Sequence, residues 1–536
     1  MRLADCFTPG RLAEHLGPWR PYPPIADRGY WERVPQGARE QILAQTAPMS
    51  QKPWPLLTAT AYARFNADGN RQTYERPYIA RRDKLSAAVI TAILTGDTST
   101  DITDGVWLLC EETTWCLPAH QPGPGTPDPD SPHVDLFAAE TAALLAWTAL
   151  LTGEHADRVR REVKTRVLDP YRARDDWRWL GLNGHEHLNN WTPWIHANLL
   201  IASLLLSDQP QSTANRAVDA LDRYLDVVPD DGGCTEGASY WWRAGASLFE
   251  CLETLAEACG GDFGAFQLPK VRAIARYPMA VHIAGDVHVN FADGPIRPPG
   301  VVPHLLYRFA ARTGDTQVRQ HARAMREHAP SLVTGPNGSL GRVLAAITDD
   351  EWAAAQPAPF PAPLQSWLPD TGVLTARERE GDTAGLFLAA KAGHNDESHN
   401  HNDIGSFIIA NNGRPVLIDP GAGTYTRQTF GPDRYRIWTM QSSWHNTPAP
   451  AGYPQSAGRA HRATDASAVL SATAAELALD LAAAYPAAAG VRSWRRTLRL
   501  DRTTPLISIH DSWELDQMSE RNVCYLITSD EPQVVG

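Results

Sequence analysis

The N-terminal part of the chain has the hydrophobic spacing of α-helices. From about residue 40 to about 346, apolar side chains recur at intervals of three and four residues, most clearly at 83–96, 134–153, 194–208, 213–228 and 245–260. Most of these runs end in Gly or Asp, as helices do. Several are apolar almost all round, which is typical of helices buried between neighbours. Many such helix pairs predict an N-terminal α/α toroid.

The pattern changes after a Pro/Ala-rich stretch at 353–370, which we interpret as a linker. Short β-type runs follow at 385–393, 405–421, 497–513 and 523–529, separated by turn residues. The sequence NNGRP within the second run predicts a hairpin turn. The predicted fold class is therefore α+β, with a toroid at 1–352, a linker at 353–370 and an antiparallel β-sandwich at 371–536. The last part is either a small sandwich or a fragment of one.

The bulk composition narrows the function classes. A chain of 536 residues is long enough for two domains. The net charge of −12 argues against a general binder of nucleic acid or anionic membranes. Apolar runs are too short to span a bilayer, and the N-terminus has no signal-peptide pattern. Seven scattered cysteines indicate reduced thiols. We therefore expect a cytoplasmic protein that binds neither nucleic acid nor membrane, with the oligomeric state left open.

The first polar cluster lies at 183–198, directly before a predicted apolar helix. Asn189 and Asn190 stand beside Trp191 and Trp194, so amides and flat apolar rings occur together. Such a set suits a sugar-binding cleft, in which indole faces contact pyranose rings and amides bind hydroxyl or carboxylate groups. The alternative is that these polar groups only cap the helix.

A second cluster lies at 231–245, where a Gly-rich turn leads into a helix. It carries Glu236, Tyr240, Trp241 and Arg243 as candidate binding or catalytic groups. Arg243 close to Tyr240 could lower the pKa of the phenol, as a proton-transfer residue needs. The Tyr-Trp-Trp run could equally be ordinary core.

A third cluster lies in the β-type half. His399 and His401 are two residues apart, and on a strand both side chains would point to one face. Asp419 follows an apolar strand, and His445 stands in Trp-His-Asn. Two or three imidazoles with a carboxylate are ligands that Zn²⁺ prefers, although the spacing matches no short metal motif. A lone histidine would more often be a buried core group, but this set predicts a metal site.

Taken together, these motifs resemble the heparinase II/III-like polysaccharide lyases. The motifs are NNW at 189–191, DGG-x-x-EG-x-SYW at 231–241, HNHND at 399–403, LIDPG at 417–421 and HNT at 445–447. The resemblance implies a toroid and a β-sandwich with an active site in the cleft between them. It also implies β-elimination on acidic polysaccharides or oligosaccharides that contain uronic acid.

The resemblance assigns a role to each motif residue. Asn190 would hydrogen-bond the uronate carboxylate, while Tyr240 and His399 would share the roles of base and acid. His401, Asp419 and His445 would bind Zn²⁺, mainly as a structural brace. Tyr435 and Tyr425 are further candidates for a catalytic tyrosine. Asn189, Trp191, Trp194, Glu236, Trp241 and Arg243 complete the candidate substrate contacts.

One departure from the family pattern concerns the position after the asparagine pair. Alginate-directed relatives carry a histidine there, whereas this chain has Trp191. If a histidine is needed, His187 or His196 would have to replace it.

Two other functions stay open from the sequence. A glycoside hydrolase on the same fold would need two opposed carboxylates, for which Glu236 with Asp231 or Asp403 is the best available pair. A non-catalytic glycan-binding protein could keep the metal as a brace.

Overall fold

The computed structural model describes residues 1–121, 123, 125–184, 188–328, 339–517, 519 and 521–531. Helices fill the N-terminal part and antiparallel sheets the C-terminal part, so the predicted α+β fold class is confirmed. None of the helices in the described ranges combines the length and the apolar character needed to cross a membrane.

The helical domain contains long helices joined by short ones. Within the described residues they are α1 (Leu3–Cys6), α2 (Pro9–His15), α3 (Arg28–Trp31), α4 (Gln36–Ser50), α5 (Ala59–Asp68), α6 (Gln72–Thr95), α7 (Thr100–Glu111), α8 (Leu136–Thr152), α9 (Ala156–Val163), α10 (Asp169–Ala173), α11 (Trp191–Leu206), α12 (Pro210–Val227), α13 (Ala238–Trp241), α14 (Gly245–Cys259), α15 (Pro269–Ala280), α16 (Pro303–Thr313), α17 (Thr316–Ala324), α18 (Leu340–Ile347) and α19 (Asp350–Ala354).

The five helices predicted from hydrophobic spacing correspond to α6, α8, α11, α12 and α14. Helix α8 shows why the local sequence forms a helix: Asp135 accepts a hydrogen bond from the Ala138 N–H at its start, and Gly153 ends it in the left-handed conformation. Helix α11 packs against α8, α12 and α14, and its N-terminus faces loops of the β domain across a cleft. The helix that follows the Asn-Asn-Trp motif is thereby held on three sides.

The β-strands begin with a small hairpin inside the helical domain. The strands are β1 (His282–Ala284), β2 (Val287–His288), β3 (Gln365–Leu368), β4 (Val373–Arg377), β5 (Leu386–Lys391), β6 (His394–Asn395), β7 (Phe407–Asn411), β8 (Arg414–Leu417), β9 (Pro448–Ala449), β10 (Gly458–Arg462), β11 (Thr464–Leu470), β12 (Ala474–Asp480), β13 (Val491–Asp501), β14 (Leu506–Leu515) and β15 (Val523–Cys524).

Besides the two-stranded pairs β6–β10 and β9–β15, the β domain contains two larger sheets. One has the strand order β3-β4-β5-β7-β8 and the other β11-β12-β13-β14, with all neighbours antiparallel. Leu388 and Phe407 of the first sheet and Leu477 and Trp494 of the second share one hydrophobic core. This is the predicted sandwich.

The five-stranded sheet also joins the two domains. Its strands alternate, so Leu388 faces the sandwich core while Phe387, Ala389 and Ile408 belong to the hydrophobic core of the helical domain. Because the central strands β4, β5 and β7 are buried on both faces, the helical domain is held against the side of the sandwich. The loops that leave the sheet are therefore placed at the inter-domain cleft.

Two local predictions can be compared directly with the structure. Asn412 and Gly413 both have positive φ, at 51° and 75°, and they join β7 to β8 as the NNGRP motif predicts. The predicted linker at 353–370 differs in part, because residues 365–368 form β3, which pairs with β4.

Candidate active site

A cleft of about 1140 Å³ lies between the helical domain and the loops of the β domain. Asn190, Trp191 and Tyr240 line it from the helical side. His399 and Tyr425 line it from the β side. Motif residues that lie far apart in the sequence are therefore brought to one cavity.

Asn190 and Glu236 are bonded to each other beneath the cleft surface. Asn190 directly precedes α11, and Glu236 ends the Gly-rich turn before α13. The Asn190 backbone N–H donates to Glu236 Oε1 at 2.9 Å, and its amide Nδ2 donates to Oε2 at 2.5 Å. Glu236 is only 4% exposed and lies behind Asn190 and His399 rather than in the cavity wall. Its predicted direct contact with substrate is corrected to a supporting position that fixes the Asn190 amide.

Tyr240 and His399 face each other across the domain boundary. Their ring centroids are 4.1 Å apart, and the Tyr240 hydroxyl lies 2.7 Å from the hydroxyl of Tyr425. The expectation that His399 and His401 lie on a strand is wrong. Residues 399–403 form a loop in which His399 has φ of +61°, outside the extended region. Loop geometry, not strand alternation, turns the His399 ring toward Tyr240.

Two carboxylates flank the imidazole of His399. Its Nδ1 is 2.8 Å from Asp293 Oδ2, and its Nε2 is 3.3 Å from Glu236 Oε2. Burial opposes the charged form, but the bonds to Asp293 and Glu236 outweigh it and raise the pKa of His399 to about 9. The structure therefore favours a protonated His399 at neutral pH.

The pKa of Tyr240 moves in the direction opposite to the one expected from its neighbour Arg243. Burial raises it, and the negative charges of Asp293 and Glu236 add to the effect. Arg243 points elsewhere: its guanidinium stacks 3.6 Å above the Trp194 ring, and burial lowers its own pKa to about 10. The Tyr240 hydroxyl is thus protonated in the resting site.

Asp293 and Tyr425 complete the cluster. The Tyr425 hydroxyl donates to Asp293 Oδ2 at 3.0 Å, and Arg434 donates to Asp293 Oδ1 at 2.9 Å. Sequence reasoning misses Asp293, because it stands alone in the loop after β2 with no other candidate group nearby. Tyr425 is one of the two further tyrosines that the motifs suggest.

The three predicted metal ligands lie together. One possible ligand atom each from His401, Asp419 and His445 all fall within 4.8 Å of one another, and all three residues are buried. His445 Nδ1 is 2.9 Å from Asp419 Oδ2, while its Nε2 is 2.9 Å from the Thr439 carbonyl. His401 Nε2 is 2.8 Å from Asp293 Oδ1, and its Nδ1 is buried without a hydrogen-bond partner.

This donor set fits a divalent cation. A histidine that binds a metal through one ring nitrogen usually donates the N–H of its other ring nitrogen to a carboxylate or a carbonyl group. That hydrogen bond leaves the first nitrogen with a free lone pair for the metal. His401 has that arrangement. In His445 the Thr439 carbonyl holds Nε2, and Nδ1 faces Asp419 Oδ2, the anionic oxygen with which it would share a cation. The orphaned nitrogen of His401 would be costly to bury unless something binds it.

The remaining predicted contacts divide into two groups. Asn189, Trp191, Trp194 and Arg243 line the cleft. Trp241 does not: it is 1% exposed, and its indole N–H donates to the Ile274 carbonyl. The prediction that Trp241 contacts substrate is corrected, because the helical turn of α13 points it into the core while Tyr240 points to the cleft.

Tyr435 also lies away from the cleft lining. Its hydroxyl accepts a hydrogen bond from Asn400 Nδ2 at 3.1 Å. Tyr425 occupies the position beside Tyr240 in which a second tyrosine is expected. His196 is fully buried and packs against Tyr171 and Trp179, so it cannot replace a cleft histidine. His187 lies outside the described residues.

The C-terminal part of the chain is similar in sequence to a known protein family. Residues 361–534 match the family described as Heparinase II/III-like, C-terminal. The C-terminal part is therefore similar to the C-terminal domains of heparinase II/III-like proteins. The resemblance inferred from the motifs is thereby confirmed, and the matched region includes His399 and the three predicted metal ligands. No curated protein matches the chain in sequence.

Solved structures extend the likeness to the helical domain. The crystal structure of heparinase III covers 95% of this chain, and 80% of that chain is matched, with 13% identity and a TM-score of 0.57. A mutant of the heparan sulfate lyase HepC from Pedobacter heparinus covers 95% of this chain, and 79% of that chain is matched, with 14% identity and a TM-score of 0.55. At such identities the likeness shows the shared fold.

Proposed function

We propose that the protein is a polysaccharide or oligosaccharide lyase that cleaves glycans containing uronic acid by β-elimination. The observation that carries the proposal is the meeting of Tyr240, His399 and Asn190 in one inter-domain cleft. An amide, a phenol and an imidazole at one site are the groups that this reaction needs. The heparinase II/III-like C-terminal domain and the heparinase III fold support the same reaction class.

Elimination begins with removal of the weakly acidic C5 proton of a uronate. That step is feasible only if the adjacent carboxylate is stabilised while negative charge builds on it. The Asn190 amide uses one N–H for Glu236, so its second N–H can bind the substrate carboxylate. Glu236 thereby fixes the direction in which Asn190 donates.

Tyr240 and His399 then share the two proton transfers, one from C5 and one to the leaving O4. Because both groups are protonated in the resting site, the one that acts as base must first lose its own proton. Both side chains line the same cavity, and their rings are in contact. Elimination consumes no water: the C4–O4 bond breaks, a C4–C5 double bond forms, and the proton lost from C5 is matched by the one gained at O4.

The charges of the cleft favour an acidic substrate. Among its lining residues, Arg71 is paired with Glu75 and Arg174 with Asp176. Within the described residues, Arg178 has no ion-pair partner. Arg76 also lines the cleft, and it donates to the neutral side chain of Gln72. A surplus of arginine in the cleft of a chain with net charge −12 indicates a local preference for anions.

We also propose that Zn²⁺ binds to His401, Asp419 and His445. Bound there, it would supply a fixed positive charge and cross-link three loops of the β domain beside the cleft. Metal analysis of the purified protein, with and without prior chelation, tests this assignment.

The glycoside hydrolase alternative has less support from the site. Asp231 is engaged by the backbone N–H groups of Asp370 and Thr371, and Asp403 is buried in an ion pair with Lys391. Neither carboxylate lines the cleft, and Glu236 lies beneath its wall. The pair suggested by the sequence is therefore not assembled in the described part of the chain.

The test is a panel of uronic-acid polymers and oligomers, followed by ultraviolet absorbance of the new C4–C5 double bond. We expect absorbance to rise with at least one uronate glycan and with no neutral glycan. Release of reducing ends without that absorbance would indicate hydrolysis. Binding without either signal would indicate a non-catalytic glycan-binding protein.

A further inference from the structure

Asp293 links two sites that the proposed function treats separately. It lies in the loop after β2 of the helical domain, and its side chain is fully buried. Among the described residues its side chain has four partners, all from the β domain: His399, His401, Tyr425 and Arg434. A single carboxylate of the helical domain therefore positions four side chains of the β domain.

The two carboxylate oxygens of Asp293 bond to different groups of side chains. Oδ1 is 2.8 Å from His401 Nε2 and 2.9 Å from Arg434 Nη2. Oδ2 is 2.8 Å from His399 Nδ1 and 3.0 Å from the Tyr425 hydroxyl. One oxygen thus faces the candidate metal site, and the other faces the cleft.

This geometry fixes both imidazoles. With Nε2–H of His401 donating to Oδ1, its Nδ1 is left as the free lone pair of the metal site. With Nδ1–H of His399 donating to Oδ2, the Nε2 edge of that ring is held toward Glu236, beside Asn190. Rotation of the carboxylate would disturb both rings at once, because its two oxygens are rigidly joined.

We propose that Asp293 is a positioning residue through which the metal site holds the imidazole of His399 in its working orientation. The inference rests on the proposed function and deepens it. A metal on Nδ1 of His401 would fix that ring, the ring would fix Asp293, and Asp293 would fix His399. Loss of the metal would then lower turnover without any contact between metal and substrate.

The test uses Asp293→Asn, which keeps the size of the side chain but removes the carboxylate charge. Outer-sphere partners of metal-bound histidines typically change metal affinity or activity by about 10–100-fold. We expect zinc affinity, measured by competition with a chelator, to weaken by about that factor. We expect kcat to fall by about the same factor while KM changes little. Tyr425→Phe is the matched control, because it removes a partner of Oδ2 and should leave zinc affinity unchanged.

The decisive comparison is metal depletion. In the wild-type protein, depletion should lower kcat and zinc should restore it; in Asp293→Asn, depletion should lower the remaining kcat far less. Equal zinc affinity in the wild-type and Asp293→Asn proteins would overturn the proposal, as would equal fractional losses of kcat on depletion. The measurement of zinc affinity by chelator competition requires no substrate and no activity. A protein without lyase activity would thus refute the proposed function, while the role of Asp293 toward the metal would still be judged.

Discussion

Three side chains carry the proposed chemistry at the residue scale, and Tyr240 is the one whose role is tested most simply. Its hydroxyl lies in the cleft, bonded to Tyr425, and its ring contacts His399. We predict that Tyr240→Phe lowers kcat by about 10²–10⁴-fold, the usual contribution of a positioned proton-transfer group. Substrate affinity should stay close to the wild-type value, as equilibrium binding of an oligosaccharide would show. A fall in affinity with kcat preserved would assign Tyr240 to binding.

A second prediction separates the two other tyrosines. Tyr425 bonds to both Tyr240 and Asp293, whereas Tyr435 bonds to Asn400 outside the cleft lining. We therefore expect Tyr425→Phe to lower kcat by roughly 10-fold or more, and Tyr435→Phe to stay within about 3-fold of wild type. Steady-state kinetics of the two matched variants provides the measurement. The reverse order would restore the assignment made from the sequence.

At this scale the sequence predicts most of the cleft but not its central carboxylate. Asn190, Tyr240 and His399 belong to dense motifs, so composition and spacing point to them. Asp293 stands in an ordinary loop, and its partners His399 and Arg434 lie far away in the sequence, in the other domain. Its role exists only once the two domains are packed together, which no local pattern records.

At the scale of elements, the turn before α13 sets the geometry of the helical side of the site. Gly237 lies between Glu236 and the helix that carries Tyr240, with φ of +100°. A Cβ at this position would lie 2.6 Å from the Phe291 carbonyl oxygen, in the loop that leads to Asp293. Only glycine fits this conformation and this close approach.

We predict that Gly237→Ala destabilises the protein by about 1–3 kcal/mol and lowers kcat, because the turn must shift. Thermal unfolding and kinetics would measure both effects. Gly285→Ala is the control: its φ is also positive, at +56°, but a Cβ at this position would have nothing within 4 Å, so the variant isolates backbone strain. Equal stability and activity of the two variants would contradict the role given to this turn.

The elements are predicted unevenly for a physical reason. Helices such as α8 and α11 are long and apolar, so their signal is strong in the sequence. The segment 399–403 has no hydrophobic period at all, and its backbone is set by hydrogen bonds to residues far along the chain. Arg434 donates to the Asn400 carbonyl, and the Asn402 N–H donates to the Met440 carbonyl. The sequence suggests a strand there, and the structure has a loop.

At the scale of the whole molecule, a group of buried histidines lies where the domains meet. His282 and His288 belong to the β1–β2 hairpin and His321 to α17, with the ring centroid of His282 4.5 Å from that of His288 and 4.9 Å from that of His321. Arg377 of β4 donates to the carbonyl groups of His282 and Ile283. Burial lowers the pKa of His288 to about 4 and that of His321 to about 3.

The sign of the pH dependence follows from these values. The pKa of each histidine is lower in the folded than in the unfolded protein, so the unfolded state binds protons first as the pH falls. Stability should therefore decrease as the pH falls from about 6.5 toward about 4. We predict that His321→Phe reduces this decrease, because it removes one titrating group. His510→Phe, at an exposed position on β14, should leave the slope unchanged. Melting temperatures of the wild-type protein and both variants between these pH values provide the measurement. If the melting temperature of His321→Phe falls with pH as steeply as that of the wild type, the prediction is refuted.

The two-domain order can be predicted because the hydrophobic period changes from helical to strand-like along the chain. The way in which the two domains pack against each other cannot be predicted from that pattern. The central strands of the five-stranded sheet are buried on both faces, and their two sets of alternating side chains enter different cores. A run such as LFLAAK indicates a buried strand but does not state which neighbour covers which face.

The central claim is that the cleft cleaves a uronate glycan by elimination. Mass spectrometry of the products formed in oxygen-18-labelled water tests it most directly, because hydrolysis adds a labelled water and elimination adds none. Elimination predicts two products whose masses sum to that of the intact oligosaccharide, one of them unsaturated, with no label incorporated and far less of both products from Tyr240→Phe. Products that carry the oxygen-18 label, with masses that sum to substrate plus one water, would contradict it.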